Sequence, residues 1–179
     1  FTSSPDRGLD VILEHIWPKV VEAVPDAELH YFYGWNNIDS ATAFMPELAA
    51  FKAKVANLAA STKNVVNRGR MPQAALAKEL QKASVWLYPT YFAETFCISA
   101  VEAQLAGLHA VTNNLAALAE TIGDGPATII PGDVRDPKVI DQYVAAVIDQ
   151  LTADQNSAVR DQIKWGARAM SWASVAELW

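Results

Sequence analysis

A chain of 179 residues, 51% hydrophobic and 19% charged, has the composition of an ordinary globular domain. It is long enough to bury roughly 70% of its unfolded surface around one core. A formal net charge of -6 argues against a nucleic-acid binder, which needs a clustered basic face, but leaves room for a small anion held by one local arginine.

Ser4-Pro5 predicts a helix start, with serine as cap and proline in the first turn. The run "RGLDVILEHIWPKVVEAV" then places Leu9, Ile12, Leu13, Ile16, Val20, Val21 and Val24 at a helical period. Pro18 is expected to kink or split this helix. "AELHYFYG" reads as a strand ending at Gly34, followed by a helix over Phe44 to Ala60 and the strand "NVVNRG". "MPQAALAKELQKA" reads as a helix running into a buried strand, "SVWLYP". A helix follows within "FAETFCISAVEAQLAGL", then the strand "LHAVT", a short helix over Leu115 to Ile122 and the strand "ATIIP". Asp136 to Leu151 and Ala153 to Leu178 read as closing helices. Strands alternating with helices predict a parallel sheet covered on both faces. The expected fold is a Rossmann-like doubly wound α/β domain spanning residues 1–179, its first strand lying before Phe1. Such sheets bind ligands at the carboxyl ends of their strands.

Glu94 and Glu102 stand eight positions apart, with no lysine or arginine in the surrounding stretch. Thr95 is expected to cap a helix beginning near Phe96, with Ile98, Val101, Leu105 and Leu108 as its buried stripe. Glu102 then lies ~40° around from Ile98, on the border of that stripe. Both carboxylates are expected to face one crevice beside the N–H groups of Phe96, Cys97 and Ile98. A helix N-terminus there would hold an anion, and the carboxylates would take hydroxyl donors. A sugar nucleotide carries both. The plainer reading makes Glu94 a loop carboxylate that balances the helix dipole and Glu102 a solvated flank residue. Spacing alone does not choose between them.

Arg7 adds weight to the first reading. It is predicted in the first turn of its helix, where a cation opposes the macrodipole unless an anion binds there. The alternative leaves Arg7 solvated or paired with Asp6 or Asp10. Ser3 and Ser4 add hydroxyl donors nearby.

These features, in this order, resemble the donor-binding half of a retaining GT-B glycosyltransferase of the large group 1 family. The resemblance rests on Arg7-Gly8, a strand ending in Gly34, the turn in "VVNRGRM", and Pro-x(4)-Glu-x-Phe leading into Glu-x(7)-Glu within "PTYFAETFCISAVEAQLAG". "HAVTNNLAALAETIGDG" and "WASVAELW" resemble the segments that follow. The resemblance implies that Arg7 contacts the donor diphosphate and Glu94 the transferred sugar, as catalytic residues. It places Glu102 on the nucleotide ribose, Gly34, Arg70 and Met71 around the base, and Thr95 and the amides of Phe96, Cys97 and Ile98 against sugar or phosphate. The chain departs from the family in two places. Cys97 stands where glycine is usual, and "FTSS" stands where a Gly-Arg pair is common, so Ser3 and Ser4 are expected to replace that arginine unless part of the phosphate site lies upstream.

The implied partners are a nucleoside-diphosphate sugar, of UDP or GDP type, and an acceptor glycan or lipid-linked sugar. The acceptor would be held by an N-terminal domain that this chain lacks. No cofactor is expected: His15, His30 and His109 are scattered, and Asp10, Asp133 and Asp136 form no metal-ligand pattern. The histidines read as structural, Cys97 as a packed cysteine, and the six tryptophans as core and interface residues. One cysteine excludes an internal disulfide, no apolar run approaches the ~20 residues of a membrane span, and no signal peptide is visible. A cytoplasmic location, peripheral at a membrane through the absent domain, is the expectation. Two rival functions stay open: a non-catalytic nucleotide-sugar-binding module, and a sugar-nucleotide epimerase of the same fold. A dinucleotide-dependent dehydrogenase is set aside, because no G-x-G-x-x-G follows a strand.

Overall fold

Proline decides the shape of the first helical run. Pro18 has no N–H to offer the carbonyl four residues back, and its ring crowds that carbonyl. In the computed structural model, which describes residues 1–123 and 127–153, the chain absorbs this by widening one turn. α1 (Leu9–Val11) passes through a π-helical segment, Ile12–Ile16, into α2 (Trp17–Ala23), and the Trp17 N–H bonds Ile12 O five residues back. The run remains one helix. Its predicted apolar positions Leu9, Ile12, Leu13, Ile16 and Val20 are completely buried.

The strands are parallel, as the alternating pattern required. β1 (Leu29–Phe32) pairs with β2 (Val65–Gly69) from Leu29 opposite Val65 onward. β3 (Val85–Tyr88), β4 (His109–Thr112) and β5 (Ala127–Ile129) form a second parallel group in that order. The connecting helices are α3 (Asn36–Ala41), α4 (Glu47–Ser61), α5 (Gln73–Leu80), α6 (Ile98–Leu105), α7 (Leu118–Ile122) and α8 (Pro137–Thr152). This is the expected α/β architecture of parallel strands flanked by helices.

No described strand lies between β1 and β3. Instead Phe1 runs along β1, its nitrogen donating to His30 O and its carbonyl accepting from Phe32 N, both at 3.0 Å. Thr2 Oγ1 accepts from Trp86 Nε1 of β3 at 3.0 Å. These two residues bridge the two sheets. A groove of about 440 Å³ lies there, flanked by Leu29 and Phe32 on one side and Val85 and Trp86 on the other.

Several boundaries differ from expectation. β1 stops at Phe32 because Tyr33 and Gly34 both turn with positive φ, 92° and 79°. The helix predicted from Phe44 begins at Glu47: Pro46 takes the N-cap position, and Phe44 and Met45 stay exposed before it. α3 had no predicted counterpart, since its polar sequence NNIDSA buries only Ile38. α8 matches closely, with Asp136 accepting from Lys138 N as its cap. The predicted helix over Ala153 to Leu178 lies outside the described residues apart from its first residue.

Before α1, Pro5–Arg7 form a 3₁₀ turn, with Ser4 at the N-cap position but making no side-chain cap bond. Gly8 closes the turn at φ 112°, and a Cβ built on it would fall 2.3 Å from Pro89 O. The start of the first helix is thus pressed against the end of β3. Gly8→Ala would be strained in backbone and in space, and it is expected to cost roughly 2–4 kcal/mol. Chemical denaturation checks this; a loss under about 1 kcal/mol would show that the Pro89 turn moves aside freely.

Candidate functional site

The site is built where β3 ends. Trp86, Leu87 and Tyr88 are buried, and the loop from Pro89 to Cys97 turns back toward α6. Neighbouring strand β4 and the residues after it clamp this loop. Thr112 Oγ1 donates to Tyr88 O at 2.7 Å, Asn113 Nδ2 to Thr90 O at 2.5 Å, and Ala117 N to Glu94 O at 3.1 Å. From the other side, Tyr91 Oη donates to Asp10 Oδ1 at 3.1 Å, with the Arg135 guanidinium 4.2 Å over its ring. Every one of these contacts constrains where Glu94 can stand.

Glu94 is only 8% exposed. A buried carboxylate needs compensation, and the structure supplies it from 87 residues away. Arg7 Nη1 donates to Glu94 Oε1 at 2.9 Å, and the Arg7 guanidinium lies 3.9 Å over the Phe92 ring. Partial burial works against the Arg7 charge, but Glu94 and Tyr88 outweigh it and hold the guanidinium's pKa above its ordinary value. Tyr88 Oη donates to the same Oε1 at 2.5 Å. Burial, then the bond to Glu94, pushes that phenol's pKa up, so it stays a donor. Ser3 Oγ lies 3.3 Å from Tyr88 Oη. A phenol has one proton and Glu94 takes it, so Ser3 donates to the phenol oxygen. Arg7 is therefore paired with Glu94 rather than with Asp6 or Asp10, and about a third of its side chain stays exposed.

The helix after this loop is not the one expected. α6 begins at Ile98 with Cys97 at its N-cap position, and no side chain caps it, so Thr95 is not the cap and Phe96 lies before the helix. The predicted stripe is also turned around: Ile98 is 66% and Leu105 46% exposed, while Ala100 and Ala103 are completely buried, with Gln104 beside them. Small residues let the helix lie close on β4 and α7, where isoleucine and leucine would hold it off. Of the four stripe residues only Leu108, beyond the helix end, is buried in the core. Ser99 Oγ reaches Thr2 O at 3.4 Å, tying α6 to the bridging N-terminal residues.

Glu102 lies on the outward face of α6, where its Oε1 accepts from Gln73 Nε2 of α5 at 3.1 Å. Both line a cleft of about 350 Å³ between α5 and α6. No described contact joins Glu102 to Glu94. Gly34 stands against Arg70, whose Cβ would lie 3.3 Å from an added Cβ. Arg70 and Met71 line a cavity of about 170 Å³ with Thr2, Phe32, Tyr33 and Asn37. Ser3 and Ser4 are buried at the start of the chain, and the Ser3 hydroxyl is spent on Tyr88.

Tyr88, Tyr91 and Asn113 were not foreseen. In "SVWLYP" a tyrosine reads as a strand aromatic, and only its hydroxyl, inside an otherwise apolar run, hinted at a buried polar partner. Among the described residues no three of His, Cys, Asp and Glu gather to hold a metal ion. Nor is any described helix long and apolar enough to cross a membrane.

The Arg7–Glu94 pair stands at the carboxyl end of a parallel strand, the edge at which open α/β sheets take their ligands. The family model described as "Glycosyl transferases group 1" matches residues 1–152. The chain belongs to the group 1 glycosyl transferases. It is 25% identical over 176 residues to the phosphatidyl-myo-inositol mannosyltransferases of Mycobacterium tuberculosis and Mycobacterium bovis. The match covers 96% of this chain and 42% of those relatives. Its fold is similar to that of the pneumococcal O-GlcNAc transferase GtfA, solved with UDP and GlcNAc, at TM-score 0.73 and 14% identity, covering 99% of this chain and 33% of that one. A point mutant of S. aureus TarM, solved with fondaparinux, alpha-GlcNAc-glycerol and UDP, matches at TM-score 0.65 and 13% identity, over 99% of this chain and 33% of that one. The fold shared with these GT-B enzymes is the α/β domain described above, about a third of their length.

Cys97, at the foot of the site, is buried, and desolvation pushes its thiol pKa up to about 12. At pH 8 the native protein is expected to react with a thiol reagent at least about a hundredfold more slowly than the unfolded chain, whose cysteine titrates near ~8.5. Native-rate labelling equal to the denatured rate would mean that the loop before α6 opens readily.

Proposed function

We propose that residues 1–179 form the donor-binding domain of a glycosyltransferase that moves a sugar from a nucleoside diphosphate to an acceptor hydroxyl with retention of configuration. The observation that carries this reading is the Arg7–Glu94 pair at 2.9 Å, which puts a cation for a diphosphate beside an acceptor for sugar hydroxyls. As the bond from the sugar carbon to the diphosphate breaks, positive charge grows on the sugar and negative charge on the leaving oxygen. Arg7 neutralises the second, already in place and without reorganisation. Glu94 orients the sugar and stabilises the first. With one oxygen engaged by Arg7 and Tyr88, it acts as a positioned electrostatic group rather than a nucleophile. The acceptor oxygen bonds to the sugar carbon on the face the diphosphate leaves, and the departing phosphate takes its proton, so the configuration is kept.

Glu102, fixed by Gln73, takes the ribose hydroxyls, and the cavity beside Arg70, Met71 and Gly34 borders the base. Thr95, Ser4 and the amides of Phe96, Cys97 and Ile98 complete the donor's surroundings. The UDP named with both structural neighbours supports a uridine donor. The mannosyltransferase relatives leave sugar and base to be determined by binding. The acceptor, a glycan or lipid-linked sugar, is assigned to the part of those relatives that this chain does not span.

Thermal unfolding with UDP, GDP and ADP tests the donor site. A nucleotide at about 100 times its dissociation constant adds about 2.7 kcal/mol, and at ~2–4 °C per kcal/mol the expected rise is roughly 5–10 °C for one base. Glu102→Ala and Arg7→Ala should each shrink that rise. Arg7→Ala also strands the Glu94 carboxylate, so the ligand-induced shift, not the absolute melting point, is the readout. A rise untouched by both substitutions would place the nucleotide elsewhere. A second outcome concerns turnover: radiolabelled sugar should not pass from donor to any acceptor in the presence of this chain alone, and measurable transfer would refute the division of labour proposed here.

A further inference from the structure

Both protein hydrogen bonds to the Glu94 carboxylate end on Oε1, one from Arg7 and one from Tyr88. Among the described residues none is directed to Oε2. Such a lopsided arrangement fixes the carboxylate by one oxygen and presents the other. The two donors differ in kind. Arg7 is about a third exposed and, on the reading above, also has a diphosphate to neutralise. Tyr88 has no such second duty. It is completely buried, its ring lies 4.8 Å from that of Trp86 and 5.7 Å from that of Phe1, and its carbonyl is held by Thr112. Ser3 supplies its hydroxyl with a donor, which leaves the phenol proton committed to Glu94.

We propose that Tyr88 is a positioning residue, which holds Glu94 by Oε1 so that Oε2 faces the sugar of the donor, while Arg7 also serves the diphosphate. This rests on the donor-site reading. Packing fixes the ring, the ring fixes the hydroxyl, and the hydroxyl fixes one carboxylate oxygen. A carboxylate anchored in advance loses little rotamer freedom when the sugar binds. A phenol suits the task because, neutral and donating to Glu94, it does not compete with the phosphate for Arg7.

The test is calorimetric binding to this chain of four probes: UDP, UDP-glucose, GDP and GDP-mannose. For each base the readout is the ratio of the sugar nucleotide's affinity to that of the bare nucleotide. Tyr88→Phe keeps the ring and its packing, and is expected to leave nucleotide affinity within about twofold while cutting the ratio roughly tenfold, as a lost hydrogen bond to a charged group does. Glu94→Gln should cut the ratio at least as much, and the double variant little further, since both act through one carboxylate. Unchanged nucleotide binding shows in the same experiment that the variant is folded. Should Tyr88→Phe bind no nucleotide, Ser3→Ala combined with Thr90→Val, which removes both hydroxyls behind the phenol, is expected to lower the ratio by about twofold to fivefold; an unmoved ratio there would overturn the proposal. A ratio preserved in Tyr88→Phe but lost in Glu94→Gln would also overturn the role of Tyr88, and would leave the donor site standing. Absence of binding by the unsubstituted chain to all four probes would remove the donor site and this role with it.

Discussion

The contact between Arg7 and Glu94 joins the first helical turn of the chain to the loop after β3, and the remainder of the site is arranged around it. A carboxylate this well buried is tolerated only if charge and hydrogen bonds return what water would have given. Arg7 supplies the charge, and Tyr88 supplies a second donor. The requirement extends outward. Gly8 must be glycine because the backbone after Arg7 turns left-handed, hard against Pro89. Asn113 and Thr112 must hold the loop from β4. Phe92 lies beneath the guanidinium and Tyr91 ties the loop to Asp10.

On the proposed reading, the same contact reconciles a net charge of -6 with a site for a diphosphate. The long-range field of such a protein repels phosphate and is screened within about 10 Å at ordinary ionic strength. What matters at the site is the local arrangement. Arg7 is held above its ordinary pKa by Glu94 and Tyr88, with part of its surface still open. Membership of the group 1 glycosyl transferases gives that arrangement a chemical setting, because glycosyl transfer develops opposite charges on two neighbouring groups. A paired cation and carboxylate match such a transition state better than either alone.

Much of the architecture was legible in the sequence, and the reasons are local. Alternating β-type and helical runs identified all five described strands, and the period of Leu9, Ile12, Leu13 and Ile16 identified the first helix with its buried face. Pro18 announced a distortion, though not that it would take the form of a π turn. The helix after Glu94 shows where this kind of reading fails. "ISAVEAQLAGL" contains two stripes of helical spacing, one bulky through Ile98, Val101 and Leu105, and one small through Ala100, Ala103 and Gln104. Hydrophobicity favoured the first. Close approach to β4 and α7 selected the second, because the distance between layers, not the size of a side chain, decided which face fitted.

Glu94, Arg7 and Glu102 could be singled out from residue type and order, and the family pattern could be matched along the chain, because motifs that approach a ligand keep their spacing in sequence. Their partners could not. Arg7 finds Glu94 across 87 residues, Glu94 finds Tyr88 across a turn, and Glu102 finds Gln73 across two helices. Sequence by itself determined the strands, most of the helices and their parallel arrangement, since periodicity and capping act over a few residues. Only the tertiary structure decided which face of each helix is buried and which donor meets which carboxylate oxygen, since those depend on distances between segments far apart along the chain.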